Sequence, residues 1–139
     1  MAFERIPSGY PGVDEVFDYI RMGDNVVWQV SGLDEYRLFA EAFAKQALKD
    51  GRNLIYMHYA RHESMFSPQP GLKVFEFDPM LGFEPFTVDI YNRITEEGEG
   101  AFYIFDCLSE LQVAWHTDQM MGNFFRVTCP YLHELDTVA

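Results

Sequence analysis

The stretch VVWQVSGLDEYRLFAEAF, residues 26 to 43, constrains this chain more than any other. Val26 to Val30 is a short apolar run rich in β-formers, which predicts a strand buried on both faces. It passes through Ser31-Gly32 into helical spacing from Asp34 to Lys49. There Phe39, Ala42, Phe43 and Ala47 share one stripe while Glu41, Lys45 and Lys49 face away. Asp34 is the expected N-cap and Gly51 the expected terminator. A strand running into a helix through a glycine turn is the usual setting of a phosphate loop. Such a loop needs G-x-x-x-x-G-K-[ST]: glycines so that backbone N–H groups wrap the phosphates, a lysine, and a hydroxyl for Mg²⁺. Counted from Gly32, those last three places hold Arg37, Leu38 and Phe39. Aligning from Gly51 instead shortens the loop by about two residues and supplies none of them either. Asp34 and Glu35 also occupy the positive end of the helix, where they oppose an incoming polyphosphate.

The rest of the chain predicts an α/β sheet. Asn53–Tyr59, Leu72–Phe77 and Ala101–Asp106 read as strands, and Pro85 to Glu97 as a helix with Phe86, Ile90 and Ile94 on one face. Strands alternating with helices across short glycine turns imply parallel neighbours, in a three-layer sheet with flanking helices. The 139 residues suffice for one domain with a real core. A net charge of −12 opposes binding to nucleic acid or anionic membranes. The start MAFERIPSGYPG lacks the basic and apolar regions of a signal peptide, and no run approaches the roughly 20 apolar residues of a membrane span. Cys107 and Cys129 are too few for a disulfide framework and read as buried free thiols. The expectation is a cytoplasmic protein. Thr137-Val138-Ala139 reads as the start of a further strand, so residues 1–139 are expected to be one domain at the N-terminus of a longer protein.

Several segments, taken in order, resemble a known family. RIPSGYPGVDEVF (Arg5 to Phe17), KDGRNLIYMHY (Lys49 to Tyr59) and AFYIFDCLSEL (Ala101 to Leu111) are similar to the opening, second strand and Walker B strand of KaiC-like ATPases of the RecA superfamily. The likeness spans about residues 4 to 112. It implies a RecA-like, P-loop-type fold, while the missing Walker A residues imply that this domain is no ATPase. The family's water-activating glutamate pair is matched by Ala60 and Arg61. Asp106 matches the Walker B aspartate, but with no phosphate loop to complete it is expected to cap the following turn. FERIPSGYPG and DCLSELQVAW also resemble N-terminal domains of phosphoenolpyruvate synthase-like and pyruvate phosphate dikinase-like proteins. That resemblance implies a pseudo-ATPase regulatory domain, with phosphotransferase chemistry residing elsewhere in the protein. The partners it implies are the remainder of its own chain and further copies of itself.

Other constellations carry less. His58 and His62 lie four apart beside Glu63, but a strand ending near Tyr59 would not bring two imidazoles to one face as a helix would. No metal, cofactor or catalytic residue is expected. Ser31-Gly32 lacks a G-x-S-x-G elbow. An alternative to the regulatory reading is a small-molecule or nucleotide sensor, with Arg37, Arg61, Asp106 and Ser109 lining a crevice at the carboxyl ends of the strands. Trp115, Met120, Met121, Phe124 and Phe125 concentrate large apolar groups and form the candidate interface.

Overall fold

In a computed structural model, residues 4–139 are described; residues 1–3, with which the 1–139 domain reading begins, lie outside them. The chain is α/β. Its elements run α1 (Pro11–Phe17), α2 (Leu33–Lys49), β1 (Leu54–His58), β2 (Leu72–Glu76), a 3₁₀ turn (Pro79–Leu81), α3 (Phe83–Glu97), β3 (Phe102–Asp106), α4 (Ser109–Trp115) and α5 (Asp118–Glu134). The three strands form an open, all-parallel sheet in the order β2-β1-β3.

Alternation along the strands sorts two cores. Leu54 and Tyr56 of β1, Leu72 of β2, and Phe102 and Ile104 of β3 bury themselves with Ala44 and Ala47 of α2. Ile55 and Met57, with Tyr103, face the other way and pack with Phe86, Ile90 and Ile94 of α3 and Phe124 and Leu132 of α5. Helices therefore cover both faces, which is why β1, in the centre, is buried along its whole length. Phe86 is the aromatic hub of the second core, with Tyr59, Phe77, Trp115 and Phe124 around it.

The N-terminal segment closes on itself before it docks. Ile6 and Ile20 exchange both backbone hydrogen bonds, and the Ser8 amide donates to the buried Asp14 carboxylate. Pro11 starts α1, where its missing N–H costs nothing.

Three expectations need correction. Val26–Val30 is not a strand: Val27 is 70% exposed, and ladder-type bonds reach only its first residue, through Val26 N–H to the Ala139 carbonyl. Thr137–Ala139 does run beside β3, with Val138 bridged in parallel to Phe102, and so stands between β3 and Asp24–Val26. No backbone hydrogen bond is made by Val27–Val30 within the sheet among the described residues. Trp28 instead stacks on Phe39 of α2 at 4.6 Å. Second, Gly32 rather than Asp34 is the N-cap of α2, because the helix begins two residues earlier. Third, the cysteines are free but only half-buried. No described helix is long and apolar enough to cross a membrane.

Candidate functional site at the carboxyl ends of the strands

On the α2 face the three strands present matched rows. Leu72, Leu54 and Phe102 share one register, then Val74, Tyr56 and Ile104, and finally Glu76, His58 and Asp106. Two apolar rows thus give way to one polar row, with one titratable residue from each strand at its carboxyl end. Parallel strands in an open sheet place such ends at the natural ligand crevice.

The polar row is densely bonded. Tyr56 donates its hydroxyl to Asp106 Oδ2, and His62 Nε2 lies 2.8 Å from Asp106 Oδ1. Asp106 is fully buried. Its carboxylate is spent on these side chains rather than on the turn after β3, which corrects the expected capping role. His58 Nδ1 lies 2.6 Å from Glu76 Oε2, and its Nε2 lies 2.8 Å from the His62 carbonyl. His62 Nδ1 lies 2.7 Å from the Glu63 carbonyl.

His62 joins the row because the chain turns back just after β1, bringing its ring to 5.3 Å from that of His58. The strand placement of His58 therefore does not separate the two imidazoles, contrary to the sequence expectation. One ligand-type atom from each of His58, His62 and Asp106 lies within 4.8 Å of the others. Burial acts to lower the His62 imidazole; the Glu63 carbonyl and the Asp106 carboxylate outweigh it, so its pKa ends above 6.5. Tyr36 of α2 reaches the same place, its ring 6.3 Å from His62. Its buried hydroxyl has no hydrogen-bond partner among the described residues, and burial, reinforced by Asp106, pushes its pKa far up.

Beside the row lies a cavity of about 610 Å³ between Val26–Leu33, α2, the end of β3 and α5. Its wall is mainly apolar, and His62, Asp106 and Ser109 stand on it. Of the ligand residues expected from sequence, Asp106 and Ser109 meet here. Arg37 and Arg61 do not line the cavity, and Arg61 pairs with Glu110 at 3.2 Å. The expected convergence of two arginines is absent, because Arg37 points out from the first turns of α2 and Arg61 is drawn to α4. Sequence reasoning missed Tyr36, Tyr56 and Glu76 and set His58 and His62 aside; the period of two along β1, β2 and β3 was the available signal for Tyr56, His58 and Glu76.

At the start of α2 the turn is closed by protein. The Ser31 amide donates to Glu35 Oε2 at 2.9 Å. Counted from Gly32, the places of a phosphate loop, Leu33 to Phe39, are already turns of α2, and Glu35 in its first turn holds the amide just before them.

The candidate interface divides. Phe124 is buried in the second core, and Trp115 packs against it while donating its indole N–H to the Pro79 carbonyl at 3.1 Å. Phe125 lines the cavity and Met121 is half-buried, leaving Met120 exposed. These rings serve the fold because α4 and α5 fold back over α3. Comparison with protein families finds no matching family model, and comparison with curated proteins finds no match.

Proposed function

We propose that this chain is a non-catalytic regulatory or protein-interaction domain on a RecA-like, KaiC-like scaffold whose phosphate site has been lost. The observation that carries this reading is that α2 already begins at Leu33, so the places a phosphate loop would fill are helix, with Asp34 and Glu35 in its first turn. A phosphate arriving there would have to displace a like charge and would meet neither lysine nor hydroxyl. Asp106 is consistent with this reading: Tyr56 and His62 are its partners, and the lysine and hydroxyl that would bring a Mg²⁺-nucleotide to it are missing from α2. The chemistry of the whole protein then lies outside this domain, in a phosphoenolpyruvate synthase-like enzyme of the cytoplasm. The domain's partners are the remainder of that chain and further copies of itself.

Titration with Mg-ATP and Mg-ADP, by calorimetry and thermal unfolding, tests this. The expected result is no heat and no stabilisation at millimolar nucleotide, since any ligand binding only the folded state raises its stability. Saturable binding would overturn the proposal. The cavity favours a second reading, a sensor for a small, largely apolar molecule, because its volume falls within the range of about 300–1,000 Å³ usual for ligand sites. Trp28 on its wall supplies a fluorescence signal for such a ligand.

A further inference from the structure

We propose that His58, His62 and Asp106 bind one divalent transition-metal ion of the Zn²⁺ class at the carboxyl ends of β1 and β3. The proposal goes beyond the regulatory reading and does not depend on it.

A count of hydrogens carries the argument. All four ring nitrogens of His58 and His62 face oxygen acceptors: the Glu76 carboxylate, the His62 carbonyl, the Glu63 carbonyl and the Asp106 carboxylate. A neutral imidazole carries one N–H, so two of these four contacts lack a hydrogen unless both rings are cationic. Asp106 cannot supply one while it stays ionised, and its other oxygen already accepts from Tyr56. The cluster is two positive charges short of a satisfied arrangement. One divalent ion meets that deficit while both rings stay neutral.

The outer contacts suit such an ion. With Nδ1–H of His58 donated to Glu76 and Nδ1–H of His62 donated to the Glu63 carbonyl, both Nε2 lone pairs are left for an ion, that of His62 beside Asp106 and that of His58 beside the His62 carbonyl, which the ion would displace or take as a further ligand. Metal-binding histidines are ordinarily held in this way, with the remote N–H given to a carboxylate or a backbone carbonyl. Tyr56 does the same for Asp106 by engaging the oxygen that faces away from His62.

Distance and donor type agree. The three ligand atoms lie within 4.8 Å of one another. Bonds of about 2.0–2.2 Å to a tetrahedral ion set ligand atoms about 3.4 Å apart, so His62 Nε2 and Asp106 Oδ1, now 2.8 Å apart, must open to admit the ion while wider pairs close on it. Two imidazoles and one carboxylate select zinc-like ions over Mg²⁺ or Ca²⁺, which prefer all-oxygen shells. His62 and Asp106 stand on the cavity wall, so the fourth position opens toward the cavity. Asp106 and His58 are buried, unlike the exposed carboxylate clusters that commonly hold no ion. A bound ion would tie the loop after β1 to the ends of two strands.

The test titrates the chelator-treated chain with Zn²⁺ by calorimetry, and with Co²⁺ followed by visible absorption. One ion per chain, a four-coordinate Co²⁺ spectrum and a Zn²⁺-dependent rise in Tm are expected. His62→Gln should abolish the Co²⁺ bands. Glu76→Gln should weaken Zn²⁺ binding by about 10–100-fold, as loss of an outer partner does. The Glu76 side chain is 63% exposed, so this variant keeps its fold, which circular dichroism checks. Replacing both remaining histidines, His116→Gln with His133→Gln, should leave the stoichiometry unchanged. Absence of saturable binding, or binding that survives His62→Gln unaltered, would overturn the proposal. So would nitrogen NMR showing two cationic imidazoles in the presence of excess Zn²⁺.

Discussion

Gly9 packs against the Ala42 carbonyl of α2 so closely that a Cβ at position 9 would overlap the oxygen. Its φ of +88° is also one that side chains other than glycine rarely adopt. The N-terminal unit, closed by the Ile6–Ile20 bridge and the Ser8–Asp14 bond, therefore seats on α2 through a position that admits no side chain. Gly9→Ala should destabilise the protein by about 3 kcal/mol or more, combining the penalty of a left-handed backbone with overpacking. Denaturant unfolding measures this, and a change under about 0.5 kcal/mol would mean that the unit does not hold α2.

Phe86 should be the most costly single truncation on the α3 face. It is 1% exposed and touches rings from the segments just after β1 and β2 and from α4 and α5. Phe86→Ala removes a buried ring that four separate elements cannot all move to replace, so a loss of about 3–5 kcal/mol is expected. Phe86→Leu should recover much of it. Equal losses for the two variants would argue against a cavity as the cause.

Period and composition reveal β1, β2, β3 and α3 because each is a local pattern whose buried side is written in its own residues. Val26–Val30 misleads for the opposite reason. Its residues suit a strand, but a strand needs a neighbour's backbone, and among the described residues its sheet-type bond is that of Val26 to Ala139. Glu76, His58 and Asp106 were legible in part: each sits an even number of residues beyond the core positions Leu72, Leu54 and Phe102. Strand order was needed to see them as one row. His62 was not legible, since its place depends on how a loop without periodicity turns back over β1. Asp106 shows the limit of reading a position by its type. A strand-end aspartate commonly caps a turn, but Tyr56 from the neighbouring strand and His62 reach it here.

Glu35 is the next residue to change, because it joins the turn before α2 to the helix itself. Glu35→Ala frees the Ser31 amide and removes a carboxylate from the positive end of the helix. A loss of about 0.5–1 kcal/mol is expected, the usual scale for a helix-start contact at an exposed site. Nucleotide should remain unbound in this variant, since Arg37, Leu38 and Phe39 still stand where glycine, lysine and hydroxyl are required. Mg-ATP binding gained on this substitution alone would show a phosphate site masked rather than lost.

Alkaline pH should unfold the protein through its tyrosines. The hydroxyls of Tyr36, Tyr59 and Tyr103 are buried without hydrogen-bond partners among the described residues, and burial is the main cause raising each above the ordinary 10.0. Nearby negative charge adds to it, from Asp106 at Tyr36, from Cys107 and Asp106 at Tyr59, and from Glu97 at Tyr103. The folded state keeps these protons at pH values where the unfolded chain has released them. Unfolding then releases protons, so this contribution to stability is intact below pH 10 and declines as pH rises beyond it. Tyrosinate absorbance followed together with circular dichroism should show the exposed members of the eight tyrosines titrating first, and Tyr36, Tyr59, Tyr103 and the buried Tyr56 appearing only with loss of structure. Tyr103→Phe removes an unpartnered hydroxyl, so it should leave neutral-pH stability unchanged or raised and flatten the alkaline decline. Complete tyrosine titration with the native spectrum retained would show that solvent reaches these hydroxyls in the folded protein.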